Sequence, residues 1–160
     1  MNRVGIGYDV HRLVFSRPLI LGGVIIPFEQ GLDGHSDADV LSHAIADSLL
    51  GAAALGDIGT HFPDKDPHWK DISSLVLLQN VNKKLSENGF GIVNIDAVLI
   101  AEDPKINTWI PEMRTKLANS LEITTSVISI KATTTEKLGY IGEGKGIAAQ
   151  AVALVNQQKS

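Results

Sequence analysis

The sequence contains no cysteine. Disulfides and thiolate metal sites are therefore excluded, and any zinc would have to rest on histidine, aspartate or glutamate. A reducing compartment is compatible with that composition. A basic excess is missing too: 14 Lys and Arg stand against 18 Asp and Glu, a formal charge of −4. That balance argues against a nucleic-acid partner. No apolar run reaches the length of a membrane span, and Met1 leads almost directly into a strand-like segment. The expectation is a cytoplasmic protein with no membrane partner. Internal repeats and low-complexity tails are also lacking. At 160 residues the chain is expected to form a single domain, 1–160, with a sizeable core.

What the sequence does have is histidine and aspartate gathered near its start. Asp9 and His11 close a strand-like run, and residues two apart in a strand point to one face. Arg3, Gly5 and Gly7 share that face, with Val4, Ile6, Tyr8 and Val10 opposite. The glycines are expected to leave space near a ligand. A carboxylate and an imidazole from one face supply two metal ligands; a third would leave zinc one open position, the catalytic arrangement. An exposed strand end without metal is the competing reading, and a dipeptide spacing does not decide between them.

Leu19 to Phe28 reads as a hairpin turning at Gly22-Gly23. A polar loop over 31–39 enters a helix ending near Ala54, with Ser36 or Asp37 as the expected cap. Asp39, His43 and Asp47 share one helical face at i, i+4 and i+8. Either this is an ordinary solvated face, or His43 is the third ligand with a carboxylate orienting its other ring nitrogen. His35 is either a plain loop residue or reaches the same ion. Residues 56–69 form a turn-rich loop of a length typical of binding loops. Asp57, between two glycines, suggests close backbone approach to something. A second helix is expected from Asp71 as cap to Asn88-Gly89, and a third from Asn107 to Leu121 with Pro111 in its first turn. Strands are expected over 92–101 and 127–133.

Thr133 and Glu136 match a capping box. A sharper reading makes the Thr133–Glu136 turn a phosphate cradle of hydroxyls and free N–H groups, with Glu136 holding a divalent ion. The segment 139–146 nearly matches a Walker A loop but has Gly146 where Ser or Thr is required, so that reading is rejected. Residues 147–156 are ambiguous between helix and strand. They are assigned to strand because the preceding glycines would start a helix poorly.

Several blocks fall in sequence order. They are Gly7-Tyr8-Asp9-Val10-His11, His35-Ser36-Asp37-Ala38-Asp39, His43, the run 50–59, Phe62-Pro63-Asp64, the run 110–114 and Lys131 to Gly139. Together they resemble the 2-C-methyl-D-erythritol 2,4-cyclodiphosphate synthase family over nearly the whole chain. The resemblance implies an α/β (α+β) fold, a mixed sheet with helices packed on one face. It also implies a homotrimer with active sites between subunits. The substrate would be 4-diphosphocytidyl-2-C-methyl-D-erythritol 2-phosphate, and the products the cyclic 2,4-diphosphate and CMP.

Carried over by position, Asp9, His11 and His43 resemble the zinc ligands, with Asp9 and His11 also beside the substrate. His35 and Ser36 resemble contacts to its phosphorylated erythritol part. Asp57, Gly59 and the loop of Phe62, Asp64 and Asp66 would meet the methylerythritol moiety. Ala101, Pro104, Lys105, Ala132, Thr133 and Thr134 resemble the cytidine diphosphate pocket. Glu136 resembles the ligand of magnesium or manganese on the diphosphate, and Tyr140 and Glu143 further substrate contacts. His35 and Thr134 would stabilise the transition state. One departure stands out: Glu143-Gly144-Lys145 replaces the family's frequent Arg-Gly-Glu, exchanging the two charges. The exchange can keep a salt bridge, but it weighs against an isoprenoid diphosphate contact from position 143 in a central cavity. A metal-dependent phosphohydrolase and a non-catalytic nucleotide-binding trimer remain as rival readings.

Overall fold

A computed structural model describes residues 1–63 and 65–157. A five-stranded sheet forms the frame, in the order β4-β1-β7-β5-β6. The long strand β1 (Asn2–Phe15) pairs antiparallel with β4 (Gln30–Leu32) at the edge and with β7 (Gly146–Gln157) inward. On the far side of β7 lies β5 (Phe90–Ile100), antiparallel to it; β6 (Ile128–Thr133) follows, parallel to β5. The sheet is therefore mixed, as expected. A separate hairpin joins β2 (Leu19–Leu21) and β3 (Val24–Ile26). Its turn residues Gly22 and Gly23 have φ of 57° and 73°, the left-handed values that a primed two-residue turn requires.

Helices cover one face. The central one, α1 (Val40–Ala53), is buried along almost its whole length, against β1 and β7 on one side and α3 (Ser74–Glu87) on the other. Small residues permit the approach: Ala149, Ala151 and Ala153 of β7 are fully buried. Gly5 and Gly7 of β1 go further. A Cβ on Gly7 would lie 1.9 Å from the Ala44 carbonyl oxygen, and one on Gly5 2.0 Å from that of Ser48. The space expected for a ligand is thus filled by helix backbone. The fourth helix, α4 (Ile110–Leu121), packs on α3 and β6, with Pro111 in its first turn. Two short helices are α2 (Ile58–His61) and α5 (Gly139–Gly142).

The opposite face of the sheet is bare. Val4, Ile6, Tyr8 and Val152 form an exposed stripe there, Ile6 being 64 % exposed. Among the described residues no helix is long and apolar enough to cross a membrane.

Three expected caps are corrected. The start of α1 is capped by Asp39, not Ser36 or Asp37. Its carboxylate accepts from Ser42 and also from the Gly22 and Gly23 amides at 2.9 and 2.7 Å, pinning the hairpin turn to the helix. The start of α3 is capped by Ser73 rather than Asp71, whose φ of 58° is left-handed, whereas a capping residue sits in the extended region. No capping box forms at Thr133–Glu136: Glu136 and Lys137 both have positive φ, and α5 begins only at Gly139.

Candidate functional site

Asp9 and His11 leave the inner face of β1 beside α1, which carries His43. The Asp9 Oδ2 atom lies 2.8 Å from His11 Nε2 and 3.0 Å from His43 Nδ1, and the two ring nitrogens are 3.3 Å apart. The outer nitrogens are occupied. His11 Nδ1 donates to the Asp33 carbonyl at 2.7 Å. A carbonyl can only accept, so a neutral His11 carries its proton there and turns a bare Nε2 inward. His43 Nε2 faces the hydroxyls of Ser74 and Ser36 at 2.9 and 3.2 Å.

Two imidazole nitrogens and a carboxylate oxygen thus converge on one point, a hard-and-borderline donor set suited to zinc or a similar divalent ion. The electrostatics keep the carboxylate charged. Burial pushes the Asp9 carboxyl up, but its bonds to His11 and His43 outweigh that and hold it at about 2. Burial opposes charge on His11, yet the Asp9 carboxylate and the Asp33 carbonyl shift it upward overall.

Of the three acidic and imidazole groups on one face of α1, only His43 joins this set. Asp39 is the cap just described, and Asp47 accepts from the Ile58 amide at 2.8 Å, fixing the start of α2. Neither orients the outer nitrogen of His43; that nitrogen faces Ser74, which in turn bonds the Asp37 carboxylate. A pocket of about 290 Å³ opens from the three ligands and is walled by His35, Ser36, Gly59 and Phe62. Arg17 straps the loop above it, donating to the Gly34 and Ser36 carbonyls at 2.7 Å each. Asp57 is exposed and caps α2, bonding the amide and hydroxyl of Thr60, whose hydrogen bonds hold its carboxyl low. Asp66 lies in the following turn. The expectation for Asp64 falls outside the described residues.

Ala101, Pro104, Lys105, Ala132, Thr133, Thr134 and Glu136 border a second pocket of about 290 Å³ at the end of β5 and β6. The free N–H groups expected there are not free. Glu102 Oε1 accepts from the amides of Thr135 and Lys137 at 2.9 and 3.1 Å. Any phosphate contact must then come from hydroxyls, remaining amides or Lys105. Glu136 itself accepts from the Thr134 hydroxyl at 3.1 Å and stands apart from the three-ligand set.

The register explains that separation. Asp9 pairs with Ala149, Ala149 with Leu99, and Leu99 with Ala132. The two pockets thus lie on one row and at one end of the sheet, three strand spacings or roughly 14 Å apart. Tyr140 lies elsewhere, on the bare face, its hydroxyl 3.1 Å from that of Tyr8, and Glu143 forms an ion pair with Lys145.

Sequence reasoning missed Ser74, Arg17 and Glu102. Only Ser74 carried a signal, as the second of two serines opening a helix; the others act across 17 to 35 residues.

A mixed sheet with helices on one face, an Asp/His/His set that could hold a metal ion and a second polar pocket along the same strand ends define an α/β protein with a candidate metal centre. A model of the YgbB family matches residues 2–156. The chain is 59 % identical over 155 residues to the protein of Pelotomaculum thermopropionicum named 2-C-methyl-D-erythritol 2,4-cyclodiphosphate synthase, covering 97 % of this chain and 96 % of that one. It is 57 % identical over 156 residues to the one of Clostridium novyi with the same name, covering 98 % and 99 %. A solved Plasmodium falciparum structure described as an IspF–CDP complex superposes with a TM-score of 0.86 at 35 % identity, covering 99 % of this chain and 97 % of that one. The bifunctional IspDF of Campylobacter jejuni gives 0.93 at 42 % identity, covering 97 % of this chain and 42 % of that longer chain. The chain belongs to the YgbB family.

Proposed function

We infer that the chain converts 4-diphosphocytidyl-2-C-methyl-D-erythritol 2-phosphate into 2-C-methyl-D-erythritol 2,4-cyclodiphosphate with release of CMP, a phosphorus–oxygen lyase reaction of non-mevalonate isoprenoid biosynthesis. The observation that carries this reading is the Asp9/His11/His43 set opening onto a polar pocket, in a chain 59 % identical to a relative so named.

The substrate's own 2-phosphate attacks the β-phosphorus; the bond from that phosphorus to the bridging oxygen breaks, and CMP departs with the electron pair. The nucleophile is already an anion near neutral pH, so no protein base is needed. The chain's task is to hold two repelling anions in a ring-forming pose, an effect that reaches roughly 7–11 kcal/mol in well-oriented intramolecular reactions. His35 and Ser36, on a loop strapped by Arg17, orient the erythritol phosphate. Thr134 and Lys105 meet charge on the transferring and leaving phosphates. Zinc on Asp9, His11 and His43, and magnesium or manganese at Glu136, supply Lewis-acid charge when bound.

The groups that would hold ions against one diphosphate, Asp9/His11/His43 and Glu136, lie in pockets roughly 14 Å apart in one chain, a long reach for neighbouring phosphates of a single substrate. A complete site therefore takes its halves from different chains. The bare apolar stripe of Val4, Ile6, Tyr8 and Val152 is the surface a second copy would cover, and a homotrimer with sites at its interfaces satisfies both demands. Position 143 carries a carboxylate, ion-paired with Lys145, and that negative charge weighs against an isoprenoid diphosphate held from position 143.

Phosphorus NMR of the purified protein with the cytidyl substrate, zinc and magnesium is the test. A cyclic diphosphate with CMP is expected. A linear diphosphate or inorganic phosphate would instead assign a hydrolase, and binding without turnover a nucleotide-binding module.

A further inference from the structure

Behind His43, on the side away from Asp9, stands a pair of groups that the reaction above does not use, buried Ser74 and half-buried Asp37. Ser74, the first residue of α3, is fully buried. Its Oγ lies 2.9 Å from His43 Nε2 and also bonds the Asp37 carboxylate, while its backbone N–H donates to Asp37 Oδ2 at 2.9 Å. Among the described residues, Ser36 Oγ is the other partner of that nitrogen, at 3.2 Å, and it accepts the Ala38 amide.

A serine hydroxyl has one proton, and an ionised carboxylate can only accept. The Ser74 proton therefore goes to Asp37. What Ser74 then offers His43 is a lone pair, which favours a hydrogen on Nε2; the Ser36 hydroxyl, free to rotate, can accept from it as well. The neutral ring then presents a bare Nδ1 to Asp9 and His11. The other tautomer would set the Ser74 and His43 lone pairs against each other and spend the ring hydrogen on the Asp9 carboxylate, 3.0 Å from Nδ1, where it blocks the cation set.

We propose that Ser74, oriented by Asp37, is a positioning residue that locks His43 in the one tautomer able to bind a divalent cation. This deepens the metal-centre reading and rests on it. The relay joins three segments: the loop before α1 gives Asp37, α1 gives His43, and α3 gives Ser74. The readiness of the centre thus depends on α3 docking against α1.

The test compares the full-length chain with Ser74→Ala, Ser74→Thr and Asp37→Asn. Zinc affinity is measured by competition with a chromogenic chelator, and the His43 tautomer by nitrogen-15 NMR of the metal-free protein. In Ser74→Ala, zinc affinity falls about 10–100-fold, the usual scale for outer-shell partners, and His43 becomes a mixture of tautomers. In Ser74→Thr, which keeps the hydroxyl, affinity returns towards the starting value. Asp37→Asn separates this relay from simple packing: its carbonyl still accepts the Ser74 amide, so its NH₂ turns to the hydroxyl. The released Ser74 proton then points at Nε2 and drives His43 to the Nδ1–H form. This isosteric variant also serves if Ser74→Ala fails to fold. Zinc binding in Ser74→Ala and Asp37→Asn as tight as in the parent, with Nε2–H retained, overturns the relay and leaves the metal centre standing. A parent chain that takes up no zinc overturns both.

Discussion

Replacing Gly7 by alanine drives a methyl group into helix backbone. The added Cβ would sit 1.9 Å from the Ala44 carbonyl oxygen and 2.7 Å from the Ser48 amide nitrogen, where ordinary contact needs about 3.5 Å. Neither atom belongs to a flexible side chain, so α1 and β1 must part by more than about 1 Å. Overpacking of this kind costs about 1–3 kcal/mol, occasionally more, and a rigid backbone neighbour places Gly7→Ala at the upper end. At about 2–4 °C per kcal/mol for a chain of this size, melting should fall by about 6–12 °C. The same shift carries His43 away from Asp9 and His11, so zinc uptake weakens as well. Gly51→Ala is the matched control. Gly51 is an exposed position of the same helix whose added Cβ meets only the Ile6 carbonyl oxygen at 3.9 Å, so better helix propensity should stabilise it by about 0.5–1 kcal/mol. Calorimetric melting with and without zinc reads both effects. A Gly7→Ala protein that melts with the parent and takes up zinc normally would refute the backbone contact on which the centre is built.

Two further outcomes follow from side-chain geometry. The hydrogen bond to Tyr140 is the main reason Tyr8 is raised to about 12, and these are the chain's only tyrosines; one phenol should ionise near 12, and Tyr140→Phe should bring Tyr8 back towards 10, read by phenolate absorbance. Because the folded value lies above the unfolded one, this pair's stabilisation is fully present below pH about 10 and is lost as pH climbs towards 12. Glu136→Gln should raise the magnesium concentration needed for half-maximal turnover by at least about tenfold, since even outer-shell changes at metal sites cost that much; an unchanged magnesium titration would remove Glu136 from that role.

Much of the frame was legible because its signals are local. The Gly22-Gly23 turn, the Pro111 helix start and the choice of strand for 147–156 each depend on neighbours a few residues away. The gathering of Asp9, His11 and His43 was legible as two faces, one of a strand and one of a helix, though not their meeting. What misled was non-local. Gly5 and Gly7 read as room for a ligand because the helix that fills the room begins more than thirty residues later. Spacing puts Asp39 on the His43 face, solvated or beside a ligand, and gives no sign of its real partners, the amides of Gly22 and Gly23 in another element. Ser74 and Glu102 act through space on segments that sequence spacing does not connect to them.

The row of paired residues from Asp9 to Ala132 has a genetic corollary. In the proposed assembly, a chain damaged at position 43 keeps a sound pocket at Glu136, and one damaged at position 136 keeps a sound histidine pair. Two alleles, each inactive alone, would then rescue one another in the same cell, because random assortment joins the two sound halves at roughly a quarter of the junctions between copies.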